Sequence, residues 1–585
     1  MADSVVFVDL PQGSDVITVQ SDFWRKDQVK MVNGAWWDDE RKLWTVPLAW
    51  STCITLRGIF GKDLMVGPGL ATWAWSTKSE VIDPLMELRD PANFTTPGDE
   101  RLYPYQRAGT AWLKRAKGAI LADEMGTGKT VQTAVALDEL GDDAFPVLIV
   151  CPNTMKHVWK RELEKWCPTA KSIHVIEGSQ KAKVDQIMAA AKDDHSVVII
   201  NYEYTWRVSR QAGYGQLALA RGEKVEGPLN KVPFRTTVLD EAHKIKNPRA
   251  AQTRACWWLG RMPTVRYRFA LTGTPVANKP DDLWALLNFI DHKAWSSKTR
   301  FVERYCMQSW NGHGGMDIIG LDPTHEEEFH KVVDPFMRRV TKEMVLTQLP
   351  PIVRERRDCE MTPKQKKAYK EMETQMFVEL AEDEHLSATT VIARLTRLIQ
   401  FSSAYATIPD QTSMEVELTD PSNKCDALED LLEDLDKEPI VVFAMSKKLI
   451  MLAHSRLVKK GIECRLITGG QSPMEREQNI NDFQNGKAQV ILATVAAGGV
   501  GVTLTRAKTA VFLQRSWSMV DNTQAEARVH RIGSEQHDVV TIIDLVAPGT
   551  IEERMQQVLL QKKERLEEIV KDRDMLMRFL KGQED

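Results

Sequence analysis

The strongest constraint on the fold is a rhythm of short apolar runs separated by helix-like segments. Between about residues 100 and 300 the runs are GAILAD, PVLIVCP, SVVIINY, TTVLDEAH and RFALTGT. The same rhythm returns after about 435 in PIVVFAM, CRLITGG, AQVILATV, TAVFLQ and VVTIIDLV. Alternation of this kind indicates βαβ units and a parallel sheet. Its recurrence predicts an α/β chain with two tandem parallel-sheet lobes and a more helical, charged region between them. The stretch IEERMQQVLLQKKERLEEIVKDRDMLMRFLKG has apolar positions at helical spacing and closes the chain as one or two helices.

A chain of 585 residues exceeds a single core. The expected division is a small α+β N-terminal domain over 1–95, a first lobe with a helical protrusion over 96–345, a second lobe over 346–550 and a C-terminal helical brace over 551–585. Hydrophobic residues at 43% and charged residues at 27% fit a globular chain. The N-terminus lacks the basic and apolar regions of a signal peptide, and no apolar run is long enough to span a membrane. The eight cysteines are scattered without a C-x-x-C pair, which argues against structural zinc and for a reducing cytosol. A net charge of −4 counts against a generally basic nucleic-acid binder. Locally, Pro335 to Lys370 holds ten Lys/Arg against four Asp/Glu, a net of +6, which on charge alone reads as a solvated helix face.

Residues 1–95 hold seven of the 17 tryptophans: Trp24, Trp36, Trp37, Trp44, Trp50, Trp73 and Trp75. VITVQ and KLWTVPL alternate as short strands, and Pro84, Pro91 and Pro97 mark a linker.

Three motifs carry chemistry. In AILADEMGTGKT, a strand and a helix flank Gly126 and Gly128, an order that sets main-chain N–H groups and a helix N-terminus against an anion. Lys129 would neutralise phosphate charge and Thr130 would bind Mg²⁺. The generic pattern G-x-x-x-x-G-K-S/T fails at its first position, where Asp123 stands. In TTVLDEAHK a strand delivers Asp240 and Glu241 at its C-terminal end, where open α/β sheets bind ligands. Asp240 suits Mg²⁺ coordination and Glu241 suits polarising a water; His243 is as readily structural. In LTGTPVANKPDDLWALLNFI, Thr272 and Thr274 follow a strand, and their hydroxyls would relay the phosphate state to bound nucleic acid.

LADEMGTGKT, DEAHKIKN and LTGTPVANKPDDLWALLNFI together resemble the Swi/Snf family of superfamily-two DNA translocases. Further matches are LYPYQRAGTAWL, VLIVCPNTMKHVWKRELEKW, PFMRRVTKEMVLTQLPP, ATVAAGGVGVTLTRAKTAVFLQRSWS and QAEARVHRIGSEQHDVVTIIDLVAPGTIEERM, so the likeness runs over about residues 100 to 560. In that family Asp123 is expected. The resemblance implies RecA-like lobes, ATP and Mg²⁺ as cofactors, and DNA-dependent ATP hydrolysis by a monomeric motor on double-stranded or branched DNA. It implies that Asp123, Glu124, Met125, Gly126, Thr127, Gly128, Lys129 and Thr130 hold the nucleotide with Asp240, and that Gln106 reads the adenine edge. Arg528 and Arg531, three apart on a helix, would be arginine fingers reaching from the second lobe when the lobes close. DNA backbone contacts are implied near Asn153, Thr154, Thr272, Thr274, Thr494, Gly498, Gly499 and Thr503.

Two further likenesses refine this. The compact stretch from Phe301 to Arg339 looks more like the fork-remodelling, annealing-helicase branch than the nucleosome-remodelling branch; no clear strand-splitting hairpin is evident, and region 300–350 has room for one. VKMVNGAWWDDERKLWTVPL is similar to the small substrate-recognition domain of annealing helicases, HARP. There Trp36, Trp37, Lys42 and Trp44 either flank unpaired bases or form the core of a domain with little else to bury. The family departs at HRIGSEQ, where Gln536 stands two positions later than usual and its role is open. The implied setting is the cytoplasm of a bacterial cell, with a phage-encoded protein included.

Overall fold

The computed structural model describes residues 5–90, 96–209, 226–273, 280–310, 315–346, 348–382, 388–409, 415–498 and 502–561. The chain divides into two units, Met1–Thr347 and Gln348–Asp585.

The first unit opens with β1 (Val6–Asp9), β2 (Val16–Gln20), β3 (Trp36–Asp38), β4 (Leu43–Pro47) and β5 (Leu64–Val66), in one sheet of order β3-β4-β2-β1-β5. The alternation in VITVQ turns Ile17 and Val19 inward. With Val6, Val8, Leu56 and Phe60 they make an aliphatic core, and Trp44 and Trp73 only pack at its margin. Trp24 and Trp36 are 88% and 73% exposed, so the core is not where these tryptophans act. Trp37, on the same edge strand as Trp36, is exposed and meets Trp44 edge-on at 5.4 Å.

This small sheet is docked firmly onto the rest of its unit. The Thr55 hydroxyl lies 3.3 Å from the Tyr305 hydroxyl, Arg300 donates to the Val32 carbonyl at 2.7 Å, and the Ser297 N–H donates to Asn33 at 2.9 Å. Lys293 pairs with Asp15 at 2.8 Å. Gly58 makes the approach possible: a Cβ there would strike the Glu328 carboxylate, which Arg304 holds from both oxygens at 2.6 and 2.5 Å.

The first parallel sheet follows with β6 (Gly118–Leu121), β7 (Val147–Cys151), β8 (Ser172–Val175), β9 (Ser196–Asn201), β10 (Thr236–Asp240) and β11 (Tyr267–Leu271). All of β7 and β10 is buried, because helices cover both faces of the sheet. Next comes an antiparallel hairpin of β12 (Cys306–Trp310) and β13 (Met316–Leu321), and then β14 (Met337–Arg338), which joins the parallel sheet beside β6. The order is β14-β6-β11-β10-β7-β9-β8. The hairpin was not legible as such in the sequence. Both its strands are largely exposed; Trp310, 64% exposed, stands directly opposite Met316.

The second unit has β15 (Ile352–Asp358), the hairpin β16 (Tyr405–Thr407) and β17 (Glu417–Thr419), then β18 (Ile440–Ala444), β19 (Cys464–Ile467), β20 (Val490–Thr494), β21 (Thr509–Phe512) and β22 (Val540–Val546). Its parallel sheet has the order β15-β22-β21-β18-β20-β19, with apolar clusters on both faces. The structure thus has two RecA-like α/β sheets preceded by a small α+β region.

The basic stretch 335–370 is a solvated helix face only at its end, where Lys364, Lys366, Lys367 and Lys370 are exposed on the helix Pro363–Glu382. Earlier in it Arg338 is wholly buried, while β15 is an exposed edge strand whose charges discourage pairing with another chain. Arg354 there pairs with Glu526 at 2.7 Å and Arg357 with Asp434 at 3.1 Å; Arg356 pairs with Glu553 and with Asp358.

The C-terminal helix Ile551–Gln561 is tied to the second unit by a wholly buried ion pair, Lys424 with Glu552 at 2.7 Å. Burial pushes the Glu552 carboxyl up, and Lys424 pulls it back. Removing one charge of such a pair strands the other. Glu552→Gln should therefore cost about 3–5 kcal/mol of second-unit stability, read as a lowered midpoint in thermal unfolding of the full chain.

Candidate functional site

Parallel register brings the motifs of the first unit together. Leu121 ends β6 opposite Leu271 of β11, which lies opposite Asp240 of β10. The glycine loop, Thr272 and the Asp240–Glu241 pair therefore leave the sheet side by side at its C-terminal edge.

Gly126 and Gly128 in the loop have φ of +86° and +84°, a region costly for residues with a Cβ. The helix Lys129–Leu140 begins directly after them, so its unsatisfied N–H groups face the loop. The Lys129 ammonium is folded back onto the carbonyls of Asp123 and Glu124 at 2.6 and 3.1 Å. Burial pushes its pKa below the usual lysine range, and the charges of Glu241, Asp123, Asp240 and Glu124 oppose that shift. An ammonium beside main-chain N–H groups and a helix N-terminus is a donor set for a polyphosphate. The residues present fit ATP.

Asp240 is buried and fully engaged on both oxygens. The indole N–H of Trp159 donates to Oδ2 at 2.9 Å, and the Glu241 N–H donates to Oδ1 at 2.9 Å. Burial, followed by the Glu241 charge, raises the Asp240 carboxyl to about 6; Trp159 and Lys129 work against the rise. The Tyr202 hydroxyl donates to the Asp240 carbonyl at 2.7 Å. A carboxylate held this way, in a site already rich in acid, suits a divalent cation. Glu241 adopts φ +50°, a left-handed conformation that costs free energy in a residue with a Cβ. Its Oε2 lies 3.3 Å from His243 Nδ1, and that nitrogen lies 3.4 Å from the Thr272 hydroxyl. His243 thus links the acidic pair to the third motif.

Several expected contacts fall differently. Asp123 is wholly buried and turned away from the loop's mouth, onto Arg338 at 2.5 Å. Thr127 is likewise buried, its hydroxyl donating to the Glu124 carbonyl at 2.7 Å. The Gln106 amide is used within the protein: its oxygen accepts from the Tyr103 N–H at 3.0 Å, capping the helix Pro104–Arg115, and its nitrogen donates to the Thr127 carbonyl at 3.0 Å. The Tyr105 hydroxyl donates to the same carbonyl at 2.9 Å. Met125 is buried and Glu124 half-buried, with Glu124 accepting from the Lys342 N–H at 2.8 Å. Thr272 is wholly buried, with its hydroxyl 3.4 Å from His243 Nδ1. Asn153 and Thr154 are exposed in a turn before the helix Lys156–Trp166. In the second unit Thr494 and Gly498 are buried and Thr503 half-buried. Thr274 and Gly499 lie outside the described residues.

Arg528 and Arg531 do not sit on a helix, because the helix Met519–Glu526 ends before them. The turns that follow still bring them together: Nη1 of each donates to the Val502 carbonyl, at 3.4 and 3.3 Å. The Leu504 N–H donates back to the Arg528 carbonyl at 2.9 Å. Glu526, at the base of this turn, is held by Arg354 and by Arg515 at 2.5 Å, and Arg515 also grips Asp544 at 2.6 Å. Gln536 donates to the Thr505 carbonyl at 2.9 Å, so its displaced position still ties the turn to the 502–505 segment.

Trp159, Tyr202, Tyr105 and Arg338 escaped the sequence reading. Trp159 sits in a strongly charged helix and Tyr202 just past the end of a strand, where only contact with Asp240 reveals them. Exposed Phe23 and Trp24 were also missed, although the adjacent Arg25 and Lys26 were a signal of a surface patch.

The SNF2-related domain matches residues 105–406, and the helicase conserved C-terminal domain matches residues 423–533. An uncharacterized ATP-dependent helicase of Mycoplasma pneumoniae is 28% identical over 473 residues, covering 79% of this chain and 41% of the relative. The DNA annealing helicase and endonuclease ZRANB3 of Bos taurus is 27% identical over 481 residues, covering 79% of this chain and 40% of the relative. The chain therefore spans about two fifths of the length of these curated relatives. The SWI2/SNF2 ATPase core of Sulfolobus solfataricus in complex with dsDNA is 26% identical, covering 80% of this chain and 92% of that one with a TM-score of 0.35. With the SNF2-related domain matching more than half of its length, the chain belongs to the SNF2 family of helicase-like proteins.

Proposed function

We propose that this protein hydrolyses ATP to ADP and phosphate and uses the cycle to move along duplex or branched DNA, remodelling forks and junctions or displacing bound protein. The observation that carries this reading is the meeting of Lys129, Asp240 and Glu241 at one sheet edge. Lys129 and the N–H groups of Gly126 to Thr130 bind and orient the phosphates. Thr130 and Asp240 would hold Mg²⁺, which when bound supplies charge neutralisation to the phosphates. Glu241 orients the attacking water and takes up its proton. Arg528 and Arg531 have the role of stabilising charge on the transferring phosphoryl, a contribution of about 10³–10⁵ in rate where such arginines act.

Named relatives support the DNA side of the reading, since one is a DNA annealing helicase. Exposed Phe23 and Trp24 in a short helical turn, and Trp36 and Trp37 on the edge strand of the small N-terminal sheet, supply aromatic faces for unpaired bases, with Lys26 and Lys42 near them in sequence. A second reading, a strand-separating helicase, is favoured by the β12–β13 hairpin with exposed Trp310. Displacement of a labelled strand that is lost in Trp310→Ala, with DNA-stimulated hydrolysis intact, would select it.

Phosphate release should be slow without DNA and rise on duplex, forked or four-way DNA but not on RNA. Lys129→Ala and Glu241→Gln should each abolish turnover, and Glu241→Gln should still bind ATP; wild-type hydrolysis in either refutes that residue's role. Trp36→Ala combined with Trp24→Ala should weaken stimulation by forked DNA several-fold and leave DNA-free hydrolysis unchanged. Trp159→Phe removes the donor to Asp240. It should lower turnover about tenfold at limiting Mg²⁺, with recovery at high Mg²⁺, since loss of an outer partner typically costs 10–100-fold in metal affinity or activity.

A further inference from the structure

Asp123 stands where a generic phosphate loop has glycine, and its surroundings explain what an acid does there. Its carboxylate is wholly buried and accepts from Arg338 Nη1 at 2.5 Å, from the Val340 N–H at 3.1 Å and from the Gln132 amide at 3.3 Å. Arg338 is equally buried and spends Nη2 on the Tyr105 carbonyl at 2.8 Å. The main chain of the same segment runs along the first limb of the loop. The Ala122 N–H donates to the Arg338 carbonyl at 2.7 Å, the Glu124 N–H to the Val340 carbonyl at 2.8 Å, and the Lys342 N–H to the Glu124 carboxylate at 2.8 Å.

The limb is therefore gripped from one side by residues 338–342. Its other side holds Lys129, through the Asp123 and Glu124 carbonyls at 2.6 and 3.1 Å. A side chain at 123 is needed because a glycine offers no charge for Arg338, which would then be stranded in the interior. Any movement of the 338–342 segment moves the two carbonyls that fix the lysine.

We infer that residues 338–342 are a strap on the phosphate loop, and that Arg338 is a positioning residue which sets the pose of Lys129 through Asp123. The strap ends five residues before Thr347, the last residue of the first unit. The chain that continues into the second unit thus leaves from the element that fixes Lys129. This inference rests on the reading that the loop binds ATP.

The test uses the full chain with Arg338→Lys, Asp123→Asn and the double variant, titrated with a fluorescent ATP analogue and assayed for turnover well below their melting temperatures. Arg338→Lys keeps a charge but cannot span Asp123 and Tyr105; Asp123→Asn keeps the shape and is the milder change if the first fails to fold. Each single variant should raise the analogue Kd and the KM for ATP at least tenfold, while kcat at saturation falls less than threefold. The double variant should be no worse than the worse single one, because both remove the same contact. Glu552→Gln, which loosens the second unit only, should leave the Kd unchanged. Variants that bind within twofold of a normally binding wild type, whatever their melting temperature, overturn the strap. A wild-type chain that fails to bind the analogue overturns the ATP reading itself, and the strap with it.

Discussion

Lys129 is a half-buried cation set among acids at the C-terminal edge of the first parallel sheet. Burial favours its neutral form, while Glu241, Asp123, Asp240 and Glu124 favour the charged one and two carbonyls accept hydrogen bonds from the ammonium. Those acids can converge only because β6, β11 and β10 are adjacent and in register, which puts three loops at one edge of a parallel sheet. The sheet in turn exists because its strands are apolar on both faces and helices cover them. Composition, pleat, register and electrostatics are successive consequences of one another here.

The acids are not equivalent. Asp123 is paired with buried Arg338 and also favours the Lys129 charge. Asp240 is held by Trp159 and the Glu241 N–H, with a carboxyl raised to about 6 by burial and by the Glu241 charge. Two neighbouring carboxylates, one of them buried, disfavour each other's ionisation, which is the raised Asp240 carboxyl in physical terms. Glu241, in a left-handed conformation, is the one acid held under backbone strain.

The parts of this arrangement legible in the sequence were those carried by local pattern. Strand positions followed from apolar runs, the glycine loop from spacing, and Asp240–Glu241 from their place after a strand. What stayed hidden depended on distance along the chain. Asp123 finds Arg338 215 residues away, and nothing near either residue announces the other. Gln106 looked like a base reader, yet its amide is satisfied by its own helix start and by Thr127. Thr272 looked like a DNA contact because hydroxyls in loops are usually exposed; here it is wholly buried beside His243. The β12–β13 hairpin had an available signal, Asn311-Gly312 between apolar runs, but an irregular register between Met307 and Gln308 breaks the alternation that marks a strand. Arg528 and Arg531 meet by way of turns that helical spacing does not describe.

The docking of the N-terminal sheet has a mechanical meaning. Gly58 lets one helix press directly on the Arg304–Glu328 pair, and Thr55, Arg300 and Asn33 pin the contact around it. The exposed aromatic strand beside Trp44 is thus anchored to the same unit that carries the phosphate loop, and it shares that unit's frame.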